Sequence, residues 1–319
     1  MNWGLIGYGE VTLSFIDGLK TVKDARIVAI ASKSSHQYLV KKGLYENVQY
    51  FDSYENLLKS SEIDIVYVST TNNLHFENVK QVLYAGKHCL CEKPMTPTAR
   101  QTDELIDLAN KNNVFLMEGM WTRFLPAYRE FIKVLKSGII GKPRLLKADF
   151  GFLNTWPKNR RLLNPELNGG TLLDNADYNI FLSQDVFNEY PIKIQAMASY
   201  AETGVEDACS IQLQYASGGI AQLFSSFRCE TEQEAIVYGE KGYIKLKEYW
   251  HGTQIAIKIG EIEEEHKFPF KVNGFEYQIE NVQKSIKNGR IENNFVSHSD
   301  SKNVAMIIDE VQNQIHKKQ

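Results

Sequence analysis

The sequence is short of cysteine, of long apolar runs and of any surplus of charge. Four cysteines occur in 319 residues, Cys89, Cys91, Cys209 and Cys229, too few for a disulfide scaffold. The longest unbroken apolar runs, 27–31 and 304–308, are five residues each, against the ~20 that a membrane helix needs. Lys and Arg number 36 and Asp and Glu 39, for a net charge of −3. A chain built for nucleic acid or an anionic membrane carries a basic surplus, so neither is an expected partner. No Gly-x-Ser-x-Gly points to a serine hydrolase. No His-x-x-x-His or paired-cysteine pattern points to a metal, and Cys89-Leu90-Cys91, lacking a second cluster, reads as two small residues on one face of a buried strand. The opening Asn2 to Gly7 reads as a strand and turn, with no charged segment and apolar stretch of a leader; reduced thiols and a cytoplasmic location are expected. One absence is local: between Ala25 and Tyr45 there is no Asp or Glu.

What is present is the balance of a globular protein, 43% hydrophobic and 24% charged residues, at a length that suggests two domains of roughly 150 residues. Up to about residue 120, short β-branched runs (Leu5-Ile6, 26–31, 63–68, 88–91, 114–117) alternate with helical spacing over 11–19, 54–58, 76–84 and 98–110. That rhythm predicts a doubly wound parallel sheet, an α/β Rossmann domain over 1–120. Later, Ile211, Leu213 and Tyr215 alternate with Ser210, Gln212 and Gln214, Ser217-Gly218-Gly219 turns the chain, and further strands follow at 220–227, 234–238 and 243–246. With helices near 124–137, 171–188, 275–288 and 300–317, this predicts an α+β domain over 121–319 with a mostly antiparallel, open-faced sheet. Its polar face is a candidate surface for pairing with a second copy as a homodimer.

Three motifs carry chemistry. Gly7-Tyr8-Gly9-Glu10-Val11-Thr12 lies between a strand and a helix, where a dinucleotide fingerprint belongs. Gly7 permits the turn, Gly9 admits a pyrophosphate to the helix N-terminus, and Glu10 and Val11 open that helix. Thr12 replaces the third glycine. At the end of the second strand, where NAD enzymes usually place an acid for the ribose 2′-hydroxyl, stand Ser32 and Lys33. Hydroxyls and an ammonium favour a 2′-phosphate, so NADP is expected, with NAD the alternative. Third, Glu92-Lys93-Pro94 follows a buried strand, and Pro94 keeps Lys93 extended.

Together with Thr70-Thr71-Asn72-Asn73-Leu74-His75, Met117 to Phe124 and Gly169-Gly170-Thr171-Leu172-Leu173-Asp174, these segments resemble the glucose–fructose oxidoreductase/inositol dehydrogenase (Gfo/Idh/MocA) family, in its dihydrodiol and xylose dehydrogenase branch. The resemblance implies a Rossmann domain, a nicotinamide cofactor approached by Thr70, Asn72, His75, Glu92 and Lys93, and hydride transfer at a sugar, cyclitol or trans-dihydrodiol carbon. It makes Lys93 the essential lysine, often followed by a cis proline. It makes Tyr178 the general acid/base, its pKa depressed by Lys93, and Asp174 an orienting carboxylate. Asp174 and Tyr178 are i and i+4 and share a helical face. Trp121 and Arg123, at the domain junction, and Arg160, in a basic loop, are further candidates for lining the substrate pocket.

Without the resemblance, Thr171 to Asp174 also reads as a capping box and Tyr178 as core packing. The chain departs from the family pattern at Thr71, Ala176 and Asp177, and a carboxylate at 177 facing Tyr178 would raise the phenol's pKa. An enzyme is the leading expectation; a non-catalytic NAD(P)-binding regulator or sensor on the same scaffold is the alternative.

Overall fold

The computed structural model describes residues 1–316, and contacts divide the chain into two compact units. The first comprises Met1–Trp121 and Lys271–Ser301; the second comprises Thr122–Phe270 and the chain from Lys302 onward. The expected contiguous domain over 121–319 is therefore interrupted by a segment that returns to the first unit.

In the first unit, strands β1 (Asn2–Ile6), β2 (Arg26–Ala31), β3 (Gln49–Phe51), β4 (Ile65–Val68), β5 (His88–Cys91) and β6 (Leu116–Glu118) form a parallel sheet in the order β3-β2-β1-β4-β5-β6. β4 is buried at every position, as a strand covered on both faces must be, and this is why it reads as a continuous apolar run. Cys89 and Cys91 lie in this core, where burial pushes both thiols up. Helices α1 (Glu10–Leu19), α2 (His36–Lys42), α3 (Tyr54–Leu58), α4 (Asn72–Tyr84) and α5 (Ala99–Asn112) connect the strands. The side chains of Ser53 and Thr98 cap α3 and α5 by accepting the amides of Asn56 and Gln101, satisfying donors that the helix leaves orphaned.

The second unit is an eight-stranded sheet, ordered β14-β13-β12-β11-β7-β10-β9-β8, of strands β7 (Pro143–Gly151), β8 (Lys193–Tyr200), β9 (Glu206–Gln214), β10 (Ile220–Ser226), β11 (Ala235–Gly239), β12 (Gly242–Leu246), β13 (Gln254–Ile259) and β14 (Ile262–Lys267). All its pairs are antiparallel except β10 with β7. Helices α6 (Pro126–Lys136) and α7 (Asp177–Phe187) pack on this sheet. Along β9, buried Ile211 and Leu213 alternate with more exposed Ser210, Gln212 and Gln214, the period-two pattern of a sheet with one open face.

Helix α8 (Phe275–Lys287) belongs to the first unit for a local reason. Phe275 meets Phe15 edge to face at 5.9 Å, Asn273 Nδ2 donates to the Ser14 carbonyl, and the bare α-carbon of Gly18 makes room for the Phe275 Cβ. Helix α9 (His298–His316) closes the described chain. No helix among the described residues is long and apolar enough to cross a membrane.

Candidate active site

The order of the first sheet reverses between β1 and β4, and ligands of open α/β sheets bind outside the carboxyl ends of strands at such a point. Gly7 sits there with φ +104°, and a Cβ on it would lie 2.7 Å from the Ser69 carbonyl oxygen. Only glycine fits. Gly9 differs, because its φ is −110° and an added Cβ would meet nothing within 4 Å among the described residues. The fold does not need that glycine, whereas a ligand laid against the backbone would. Thr12, in place of the third glycine, is fully buried; its hydroxyl bonds that of Ser69 at 2.8 Å and accepts the Gly9 N–H at 3.1 Å. Hydrogen bonds thus do the joining of α1 to β4 that close packing does in a glycine motif. Glu10 and Val11 are exposed on the first turn of α1, whose amides lack acceptors within the helix and suit an anion. Ser32 is buried, its hydroxyl accepting the Ser35 N–H, and Lys33 is exposed with its ammonium 5.0 Å from the Tyr54 ring centroid. The cradle fits a nicotinamide dinucleotide.

At the end of β4, Asn72 opens α4, and the Thr70 hydroxyl accepts from Asn78 Nδ2. His75 is placed differently from expectation. It is 1% exposed, with Nδ1 2.8 Å from the Pro94 carbonyl and Nε2 3.0 Å from the Thr70 carbonyl. Each ring nitrogen lies within hydrogen-bond distance of a backbone carbonyl, so His75 bridges the Thr70 and Pro94 loops. Beyond β5, Glu92 is buried and accepts the Tyr67 hydroxyl at 2.6 Å. Burial raises its carboxyl above the usual range, against the opposing effects of that bond and of Lys93. Lys93 is half-buried and the Lys93–Pro94 peptide is cis. The next amide, Met95, donates to Glu118 Oε1 at 2.8 Å. The backbone on either side of Lys93 is therefore held by groups other than its own side chain. Trp121 stacks face to face on Phe275, centroids 4.7 Å apart, within the same unit.

In the second unit, the expected helix over 171–188 begins instead as a π turn, Leu172–Ala176, that runs into α7. Such one-residue-wide turns recur at functional sites because they re-aim side chains out of the α-helical register. The capping-box alternative is not formed: Thr171 makes no side-chain cap, and its hydroxyl has no hydrogen-bond partner among the described residues. Asp174 is instead gripped by Arg161 Nη1 at 2.7 Å. Tyr178 is 9% exposed, its ring 5.6 Å from Phe150 and 6.4 Å from Trp250, while Phe150 and Trp250 stack 5.0 Å apart. Asp177 is fully buried on the inner side, where with burial, Tyr178 and Asp149 it helps hold the Tyr249 phenol well above its ordinary pKa. Asn175 ties the turn to β7 through the Phe150 carbonyl.

Of the two further arginine candidates, Arg123 is placed differently from expectation. Arg123 is 2% exposed, forms a two-pronged pair with Asp185 at 2.9 Å and lies 4.7 Å over the Phe181 ring. It packs the interior rather than lining a pocket. Arg160 is exposed, its guanidinium 5.0 Å over the Trp156 ring, and its neighbour Arg161 is the one that reaches Asp174.

The model described as the oxidoreductase family, NAD-binding Rossmann fold (GFO_IDH_MocA), matches residues 1–120, and the GFO/IDH/MocA C-terminal domain matches 128–245. The chain belongs to the GFO/IDH/MocA oxidoreductase family. It is 33% identical to a trans-1,2-dihydrobenzene-1,2-diol dehydrogenase of Xenopus tropicalis over 98% of both chains. An aldose-aldose oxidoreductase of Caulobacter crescentus, solved with glycerol, superposes with a TM-score of 0.89 at 25% identity, covering 100% of this chain and 98% of that one. A 3-ketoreductase of Actinomadura kijaniata shares the fold, with a TM-score of 0.88 at 22% identity over 99% and 98% of the two chains. As a GFO/IDH/MocA member the protein is an oxidoreductase, and the sequence's leading expectation of an enzyme stands.

Sequence reasoning missed Phe150, Trp250, Arg161 and Asp185. Phe150 and Trp250 are 100 residues apart, on a strand and a turn that no periodicity relates. Arg161 lay within the basic loop already noted, and a signal was available in its guanidinium neighbouring Trp156, since stacked arginines are a common way of holding a loop.

Proposed function

We propose that the protein is an NADP-dependent dehydrogenase or reductase that transfers hydride between nicotinamide and a hydroxyl or carbonyl carbon of a trans-dihydrodiol, sugar or cyclitol. The observation that carries this is the setting of Tyr178: a phenol in the first turn of α7, directly after a π turn, beside a stacked pair of rings, Phe150 and Trp250. Flat aromatic walls accept a cyclic substrate by its apolar face, and the phenol supplies a proton-exchanging group at its edge. The similarity to a trans-dihydrodiol dehydrogenase along nearly the whole chain supports the same class.

The bound cofactor supplies the hydride acceptor or donor. In the oxidative direction, Tyr178 as phenolate takes the proton of the carbinol hydroxyl, and in reduction it returns it. The Lys93 ammonium stabilises the negative charge that develops on the reacting oxygen. Asp174, fixed by Arg161, orients a second hydroxyl of the substrate. Ser32 and Lys33 receive the 2′-phosphate.

A panel of trans-dihydrodiols, aldoses and cyclitols incubated with NADP⁺ and with NAD⁺ tests the reading. Reduced cofactor is expected to form with NADP⁺, and Lys33→Ala is expected to weaken NADPH binding by about tenfold, the worth of one charge-assisted hydrogen bond, without weakening NADH. Turnover with no member of the panel would favour the sensor alternative; equal loss for both cofactors would remove Lys33 from the phosphate site. We also propose that the open face of the second sheet, with Met197, Ser210 and Gln212, pairs two copies. Light scattering is expected to give twice the chain mass, and a monomer at all concentrations would refute it.

A further inference from the structure

Glu206 opens β9 and is 6% exposed. Its Oε1 accepts the N–H of Leu172, the first residue of the π turn, at 3.2 Å. The residue in the capping position, Thr171, contributes no side-chain bond. The Glu206 carboxyl therefore does from across the fold what a local cap does in an ordinary helix. The chain makes room for it: Gly170, at φ +118°, has its bare α-carbon against the carboxyl, and any side chain there would collide with it. A buried carboxyl is unfavourable in itself, and the positive φ at 170 confines that position to glycine. The two meet at the first amide of the turn that carries Asp174 and leads into Tyr178.

We propose that Glu206 is a positioning residue for the π turn that carries Asp174 and leads into Tyr178 on α7: its carboxyl tethers the head of that turn, and its ionisation slackens the tether and lowers turnover. The inference rests on the reading of Tyr178 as the proton-exchanging group. Burial pushes the Glu206 carboxyl up to about 7, Asp207 adds to the rise, and the N–H groups of Leu172 and of Glu206 itself oppose it. The charged and titratable groups around it are few. Asp207 is engaged by Ser199 and, at 3.8 Å, by Arg228. Tyr200 and Cys209 are both raised by burial and stay neutral near pH 7, Cys209 at about 12. On the turn itself, Asp174 is paired with Arg161. Glu206 is thus the group of this set poised to change charge near neutrality.

Glu206→Gln keeps an acceptor and removes the titration; Glu206→Ala removes both. Two measurements separate the outcomes. In hydrogen exchange corrected for intrinsic rates, wild-type protection of the 172–178 amides is expected to rise by about tenfold as pH falls from 8 to 6, because burial raises the Glu206 pKa and the closed turn therefore binds the proton. The Gln variant is expected to show no such rise, and the Ala variant low protection throughout. In kinetics with NADP⁺, kcat/KM is expected to show an alkaline limb near pH 7 that is absent in the Gln variant, with cofactor Kd unchanged in both variants. A Gln variant with the wild-type exchange and pH profile would overturn the proposal, whether or not the Ala variant folds. Tyr178→Phe is assayed alongside: if it keeps full turnover, the acid/base assignment fails while the exchange data still decide the tether. If it is inactive and exchange is unaltered by Glu206→Gln, the tether alone fails.

Discussion

Lys93→Met is expected to lower kcat by about a thousandfold, within the range for losing a group that acts on charge or protons in the transition state, while leaving NADPH Kd within about threefold of wild type, well under 1 kcal/mol. The methionine keeps the apolar stem and removes only the ammonium. The surrounding backbone has supports besides that ammonium: His75 bonds the Pro94 carbonyl, Glu118 accepts the Met95 amide, and Tyr67 donates to Glu92. The variant should therefore fold as the wild type does, and its thermal midpoint serves as the control. Stopped-flow cofactor binding with steady-state kinetics checks the split between binding and turnover. A variant retaining more than a tenth of wild-type kcat would take Lys93 out of the chemistry.

The second large effect comes from comparing two glycines that stand two residues apart in the same motif. Gly7→Ala puts a Cβ at φ +104° and 2.7 Å from the Ser69 carbonyl oxygen. The unfavourable backbone region costs about 1–2 kcal/mol and the forced shift of the backbone at Ser69 about 1–3 kcal/mol more, so a destabilisation of about 2–5 kcal/mol is expected by denaturant titration. Gly9→Ala meets no such obstacle, since its φ is −110° and nothing within 4 Å among the described residues opposes a Cβ. Its stability is expected to match wild type within about 0.5 kcal/mol, while its NADPH affinity falls by at least about tenfold, or 1.4 kcal/mol. The pair separates a glycine needed by the fold from one needed by the ligand. If Gly9→Ala binds NADPH normally, the pyrophosphate does not cross the start of α1.

How far the sequence could be read depended on how local the deciding interaction was. Strands 26–31 and 88–91 were legible to the residue, because a strand buried on both faces must be apolar throughout. The short β3 and the seven-residue α2 were not, being held by their neighbours rather than by their own pattern. The Lys93-Pro94 and Gly7-x-Gly9 segments were legible because they are short and contiguous. The bridging placement of His75 was not legible because its partners, the Thr70 and Pro94 carbonyls, are backbone atoms with no signature in the side-chain sequence. Arg123 was misjudged because its partner Asp185 is 62 positions away.

By itself the sequence determined two domain types, the glycine turn and an acid-free end to β2. Each of these is written in the order of neighbouring residues, through strand burial, turn geometry or fixed charge. The absence of acids across 25–45 stays the sequence's most specific statement about the ligand. The tertiary structure alone decided that 271–301 returns to the first unit, that Asp174 is held by Arg161, and that Phe150 and Trp250 wall in Tyr178. It also decided that a carboxyl from β9, rather than the adjacent threonine, caps the π turn. The physical reason is common to all four: they are contacts between side chains and backbone far apart in the chain, whose partners are chosen only when the sheets and helices have packed.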